Sequence, residues 1–160
     1  KLNNEIEKIC LYFKNKTIEL KQLEVLLNTK YNDDFNILKD TVLNGDKIRT
    51  NKLLSETVID NEKNIYIVNV INQRLKKLLE VKRLTVNNDV NSALEKIRPP
   101  IFWKDKENFL KQIKKWDEKK IKKILSKTYD LEVSIKSNSV INAVTYTKKT
   151  IVDICDIANS

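Results

Sequence analysis

Helical periodicity runs through almost the whole chain and limits what it can fold into. Apolar residues recur every three or four positions, whereas the strict alternation of a half-buried strand is rare. The longest run at this spacing, residues 65–84, is too long for a strand. At 160 residues the chain can also bury a sizeable core without disulfides or metals. We therefore expect an all-α fold.

The first part of the chain is predicted to form two helices followed by a polar gap. The first helix has an apolar stripe: Leu2, Ile6, Ile9 and Phe13. Thr17 is a suitable N-cap for a second, short helix, whose apolar positions are Leu20, Leu23, Leu26 and Leu27. Residues 28–33 are the most polar part of this region, and we place a domain boundary there. We expect Asp33 or Asp34 to cap the next helix.

The rest of the chain contains clear helix-ending signals. Gly45, the only glycine, is predicted to end one helix in the left-handed conformation, and Asp46 to cap the next, which together describe an αα-hairpin. Pro99 and Pro100 interrupt the helical pattern. The predicted helices beyond the gap are residues 34–44, 46–58, 65–84, 90–96, 101–115, 117–136 and 140–155.

The residue types exclude several classes of active site. The chain has no His, which removes imidazole bases, Ser-His-Asp triads and most transition-metal sites. A single glycine excludes the glycine-rich loops that bind nucleotides. Asp33 and Asp34 are adjacent and therefore suit helix capping better than metal binding. The sequence predicts no catalytic, cofactor-binding or metal-binding residue.

Cys10 and Cys155 are too far apart in sequence for zinc-ligand spacing. We expect both to be buried, reduced thiols in helices, as in a cytoplasmic protein, with a disulfide between them as the less favoured alternative. No apolar stretch approaches the ~18 residues of a membrane span, and no secretory signal is present. The chain contains no Met, from which we expect it to be part of a longer or processed protein.

The net charge of +9 is concentrated in the middle of the chain. Residues 61–100 carry eight basic and four acidic residues, and residues 101–136 carry eleven and six. Two interpretations stay open: a lysine-rich solvated surface, or an electrostatic role with nucleic acid. The candidate DNA-facing residues are Lys104, Lys111, Lys114, Lys115 and Lys122.

Trp116 lies among these lysines, and such mixtures of aromatic and basic residues bind single-stranded nucleic acid. However, Trp116 also continues the apolar stripe of Phe109 and Ile113. We therefore favour a Trp116 packed between helices, with the lysines pointing outward. Trp103 directly follows Phe102, so we expect one of these two residues to lie at a helix junction.

Several segments resemble, in order and spacing, the C-terminal part of the delta subunits of bacterial DNA polymerase III clamp loaders. The most specific are IRPPIFWKDK at residues 97–106 and FLKQIKKW at residues 109–116, followed by a helix that ends in Ile135 and Lys136. Segments LNNEIEKICLY (2–12) and TIELKQLEVL (17–26) are similar to helices of the family's AAA+-like lid. Segments FNILKDTVLNGD (35–46) and INQRLKKL (71–78) are similar to its collar.

The resemblance implies a helical bundle of the clamp-loader collar type, with a short two-helix element from an AAA+-like lid. Residues 1–30 would be the end of the lid and residues 31–160 the oligomerisation collar. The implied partners are the gamma/tau and delta-prime subunits, together with the sliding clamp through an N-terminal domain, and primer–template DNA. The fragment would have no activity of its own within the polymerase holoenzyme. Trp116, Pro99, Pro100 and Gly45 would have structural roles.

The sequence departs from the family pattern in two places. Residues 137–139, Ser-Asn-Ser, stand where some relatives have an aromatic residue near DNA, so no DNA contact is assigned to this turn. The last helix is richer in Thr than is usual in the family. Two alternatives stay open: a free-standing basic nucleic-acid-binding module, and the collar of a gamma/tau or delta-prime subunit.

Overall fold

The computed structural model describes residues 2–13, 17–19, 22, 29–57, 59, 61–86, 89–137 and 142–160, which contain no β-strand. The prediction of an all-α helical fold is confirmed. The helices are α1 (Leu2–Phe13), α2 (Thr29–Leu43), α3 (Lys47–Glu56), α4 (Asn61–Leu84), α5 (Val90–Lys96), α6 (Lys106–Lys115), α7 (Glu118–Lys136) and α8 (Ala143–Asn159). A short 3₁₀ helix, Trp103–Asp105, directly precedes α6.

The chain divides into two compact units, residues 1–36 and 37–160, and the division falls within α2. In the first unit α1 has the predicted helical form, but Ile6 of its apolar stripe is exposed whereas Phe13 is buried. The predicted helix after Thr17 lies mostly outside the described residues. The assignment of residues 1–30 to an AAA+-like lid and of 31–160 to a collar stays a prediction.

Helix α2 begins at Thr29, so the prediction that Asp33 or Asp34 caps it was wrong. Polar residues weaken the apolar pattern from which a helix is predicted, but they do not prevent a helical backbone. At its other end the prediction is confirmed, because Gly45 has a φ of +74°. A Cβ on Gly45 would also lie 2.5 Å from Asn159 Oδ1. Asp46 then caps α3 by accepting a hydrogen bond from the Arg49 backbone N–H (3.0 Å).

Helix α4 is the centre of the second unit and packs against α5, α6, α7 and α8. It begins at Asn61, four residues before the predicted start at residue 65. Leu79 and Leu84, which are also apolar, are half-buried. The buried apolar positions of α4 are Ile67, Val68, Ile71, Leu75, Leu78 and Val81. Its main partner, α7, buries Ile121, Ile124, Thr128 and Leu131. The centre of the core therefore lies between these two helices, and the other helices of the unit add buried residues around it.

Trp116 lies at the junction between α6 and α7. Its side chain is 0% exposed, and its indole Nε1–H donates a hydrogen bond to the Leu43 carbonyl (2.8 Å). The next residue, Asp117, caps α7 by accepting a hydrogen bond from the Lys120 backbone N–H (2.7 Å). Trp116 thus connects the end of α2 to the α6–α7 junction, and this is the packed position that the apolar stripe predicts.

Besides Ile6, an apolar residue of α3 and one of the two cysteines are exposed. Ile48 is 87% exposed, because Thr50 is the residue that faces inward in the first turns of α3. The Thr50 hydroxyl lies 3.6 Å from Cys155 Sγ. Cys10 is also exposed, so the expectation of two buried thiols was wrong for this residue. Both cysteines are free, and burial raises the pKa of the Cys155 thiol.

Helix α8 begins at Ala143 with Asn142 as its N-cap, whereas the predicted start, Val140, lies outside the described residues. Thr147 and Thr150 are buried in it, and Thr150 donates its hydroxyl hydrogen bond to the Tyr146 carbonyl (2.9 Å). At Thr150, therefore, the buried hydroxyl is satisfied by the preceding turn of the helix. Among the described residues, no helix has the length and apolar character needed to cross a bilayer.

We expect Trp116→Ala to lower the free energy of unfolding by about 3–5 kcal/mol, because it leaves a large cavity and an unpaired carbonyl. Denaturant unfolding followed by circular dichroism measures this change. The matched control is Trp103→Ala, which removes a side chain that is 72% exposed and should change stability by less than about 0.5 kcal/mol. Equal losses in the two variants would contradict the assignment of Trp116 to the core.

Candidate interaction site

The most distinctive surface feature is a pair of exposed aromatic side chains, Phe102 and Trp103, in the second unit. They are 61% and 72% exposed, and their ring centroids lie 5.8 Å apart at an angle of 47°. The Lys104 Nζ lies 5.2 Å from the centroid of the Trp103 ring. Pro99 and Pro100 precede the pair and are also exposed. We call residues 99–105 the aromatic turn.

Both ends of the aromatic turn are anchored to the bundle. Ile97, just before it, is fully buried. Asp105, its last residue, forms an ion pair with Arg74 of α4: Nη2 lies 2.6 Å from Oδ1 and 2.5 Å from Oδ2. In addition, Lys77 Nζ lies 3.4 Å from the Pro99 carbonyl oxygen. The exposed aromatic side chains therefore project from a segment with fixed ends.

Arg74 is only 6% exposed, so its charge must be compensated within the protein. Besides Asp105, its Nη2 contacts Asp40 Oδ1 of α2 at 3.3 Å. Its guanidinium also lies over the Phe109 ring of α6, 4.9 Å from the centroid. The Arg74 side chain is thus held by residues from three elements.

Asp40 extends this network toward α6. The same Oδ1 accepts a hydrogen bond from the Gln112 amide (3.3 Å) and lies 3.2 Å from Lys39 Nζ. Burial, followed by the nearby Arg74 charge, lowers the pKa of Lys39. Two cations and two carboxylates therefore form one partly buried cluster, which we call the Arg74 cluster: Lys39, Asp40, Arg74 and Asp105.

The candidate DNA-facing lysines do not form a single site. Lys104 lies on the aromatic turn, whereas Lys111, Lys114 and Lys115 share a face of α6 at helical spacing. Lys122 lies on α7 and pairs with Glu118 at 2.8 Å, which lowers the pKa of that carboxyl group. Lys111 pairs with Glu107 (2.8 Å), and Lys115 donates to the Asn44 carbonyl (2.7 Å). The basic residue best placed beside an exposed aromatic ring is therefore Lys104.

A polar cavity of about 270 Å³ opens between the α2–α3 connection and α6. Its carboxylates, Asp40 and Asp46, already serve the Arg74 cluster and the α3 N-cap. The described residues contain no group of three or more cysteine and acidic side chains able to hold a metal ion. The aromatic turn is consequently the strongest candidate for a functional surface.

Arg74, Asp40 and Asp105 were not among the predicted site residues. Arg74 and Asp105 are 31 positions apart and lie on different elements, so no local spacing relates them. One signal was present: Arg74 falls on the buried face of α4, between Ile71 and Leu78. A charge at such a position requires a partner elsewhere in the chain.

Comparison with protein families, with curated proteins and with solved structures gives no match to this chain.

We expect Arg74→Ala to lower the free energy of unfolding by about 3 kcal/mol, because it leaves Asp105 without its counter-charge and Asp40 with Lys39 alone. Asp40 and Asp105 are partly exposed to water. We therefore expect a loss of stability at the lower end of the range of about 3–5 kcal/mol that is typical when one partner of a buried ion pair is removed. The matched control is Arg83→Ala on the same helix, whose ion pair with Glu118 is solvent-exposed and should contribute about 0.5 kcal/mol or less. Urea unfolding of both variants measures the difference. Similar values would show that the Arg74 cluster does not stabilise the bundle.

Proposed function

We propose that the chain is the assembly collar of a clamp-loader delta subunit, with residues 1–30 as the end of its AAA+-like lid. In this role it acts in the cytoplasm during DNA replication, holding subunits together without catalysing a reaction of its own. Its partners would be the gamma/tau and delta-prime subunits, and the sliding clamp would be contacted by a domain outside these residues. Primer–template DNA would pass near the assembled ring.

The proposal rests on the order of the family-like segments and on one structural observation. A helical bundle presents Phe102 and Trp103 to solvent at a fixed place. Exposed tryptophan is costly to leave in water and is enriched among the residues that contribute most to binding energy at protein interfaces. The IRPPIFWKDK segment that carries the resemblance is also the segment that forms this turn. An interface role explains why these rings are exposed.

A pull-down of purified gamma/tau and delta-prime subunits with the tagged 160-residue chain tests the proposal. We expect a complex with the native chain and at least roughly tenfold weaker binding with Trp103→Ala, since interface tryptophans often contribute 2 kcal/mol or more. The control is Tyr129→Ala on α7, an equally accessible aromatic outside the aromatic turn, at 66% exposure. Failure of the native chain to bind either subunit would reject the proposed function.

A second candidate function, a free-standing nucleic-acid-binding module, is favoured by the position of Lys104 over the Trp103 ring. An exposed ring beside a cation can stack on a base while the charge contacts a phosphate group. The neighbouring Lys106 and the α6 face of Lys111, Lys114 and Lys115 would add positive charge along the strand. In this function the aromatic turn would contact bases instead of another subunit.

For this second function we expect oligothymidylate to bind with an affinity that falls steeply with salt. Trp103→Ala should then weaken binding by about 1–3 kcal/mol and leave the salt slope unchanged, because stacking is lost but no phosphate contact is. Replacing Lys111, Lys114 and Lys115 by Gln should reduce the slope. Fluorescence anisotropy at several salt concentrations measures both quantities, and no binding at about 50 mM salt would exclude this function.

A further inference from the structure

We infer that Asp105 is the positioning residue of the aromatic turn: its ion pair with buried Arg74 holds Phe102 and Trp103 in the orientation in which a partner meets them. This inference concerns the same surface as the proposed function and depends on it only for the identity of the partner. The ordering itself is a property of the free chain and can be measured without any partner.

The aromatic turn has little intrinsic stability. Its regular part is a three-residue 3₁₀ helix, in which the Asp105 backbone N–H donates to the Phe102 carbonyl (2.9 Å). So short a helix is marginal by itself, because the hydrogen bonds are few and poorly aligned. The two large side chains that it carries are mostly in solvent and contribute little packing. The order of this segment must therefore come from its attachment points.

Asp105 is the attachment point nearest to Trp103. Both of its carboxylate oxygens lie within 2.6 Å of Arg74 Nη2, a charge-assisted contact of the strong kind. Arg74 is itself fixed by burial, by Asp40 and by the Phe109 ring, so it is a rigid anchor. Because only Lys104 separates Asp105 from Trp103, fixing the carboxylate restricts the backbone that orients the indole.

A pre-ordered turn has a direct consequence for binding. A large side chain that is free in the unbound chain loses conformational freedom when a partner immobilises it, whereas one that is already ordered loses less. Asp105 therefore contributes to affinity without being required to touch the partner. Loss of its charge should act on Trp103 while leaving the core around Trp116 unchanged.

The test uses the chain labelled with 5-fluorotryptophan, which gives one ¹⁹F resonance for each of its two tryptophans, Trp103 and Trp116. Trp103→Phe assigns the two signals. In Asp105→Asn we expect the transverse relaxation rate of Trp103 to fall roughly twofold, as the indole gains fast motion, with the Trp116 signal unchanged. The Trp116 signal thus reports in the same spectrum that the bundle is folded.

The matched control is Glu107→Gln, which removes a carboxylate two residues further on. Glu107 pairs with Lys111 at the exposed surface of α6, so this variant should keep the relaxation rate of Trp103. If Asp105→Asn unfolds the chain because Arg74 loses its partner, the double variant Arg74→Met/Asp105→Asn removes both charges. We expect the double variant to fold, since Asp40 keeps Lys39 and Gln112, and to show the same mobile Trp103.

The second part of the test measures how the Asp105 variant binds the partner subunits. If gamma/tau or delta-prime binds the native chain, Asp105→Asn should weaken that complex about tenfold, and Glu107→Gln should not. A Trp103 relaxation rate that is unchanged in both Asp105→Asn and the double variant would overturn the inference, whatever binds. A changed rate in a chain that binds neither subunit would support the inference and reject the proposed function.

Discussion

Burial of one face of α4 is the constraint on which the rest of the second unit depends. That face packs against four other helices and is apolar at nearly every turn, but it includes Arg74. A guanidinium in such a place is tolerated only with its charge compensated, so Asp40 and Asp105 have to lie beside it. The position of Asp105 in turn places the aromatic turn on the surface next to α6. The ion pair that compensates the buried charge therefore also holds the segment that carries the exposed Trp103.

The parts of the fold that local chemistry determines could be predicted from the sequence. Gly45 and Asp46 mark the α2–α3 connection because a left-handed residue and an N-cap are properties of single positions. Helix α5 has the predicted bounds for a similar reason, between a capping Asp89 and the prolines. The start of α2 at Thr29 could not be predicted, since polar residues carry no signal that separates a solvated helix from a loop.

The candidate site is less predictable because it depends on contacts between distant residues. Trp103 and Trp116 both have lysines nearby in the sequence, but Trp103 is 72% exposed whereas Trp116 is 0% exposed. For Trp116 the apolar stripe indicates burial. Next to Trp103, the Asp105–Arg74 ion pair anchors the chain, but it joins residues on two elements and has no sequence spacing to reveal it. Ile48 illustrates the reverse case, an apolar residue at helical spacing that faces solvent because Thr50 takes the inward position.

Several of the lysines that give the chain its positive charge have partners within the protein. Lys111 and Lys122 are paired with acidic side chains, and Lys115 is bound to a backbone carbonyl, so part of the excess charge serves the bundle itself. Such exposed pairs are weak and can exchange for phosphate contacts, which keeps nucleic-acid binding physically accessible. In that function base stacking would account for the exposed Trp103 ring beside Lys104. In the proposed assembly role an apolar partner surface would cover both Phe102 and Trp103, and a turn that is ordered beforehand would lose less conformational freedom on binding.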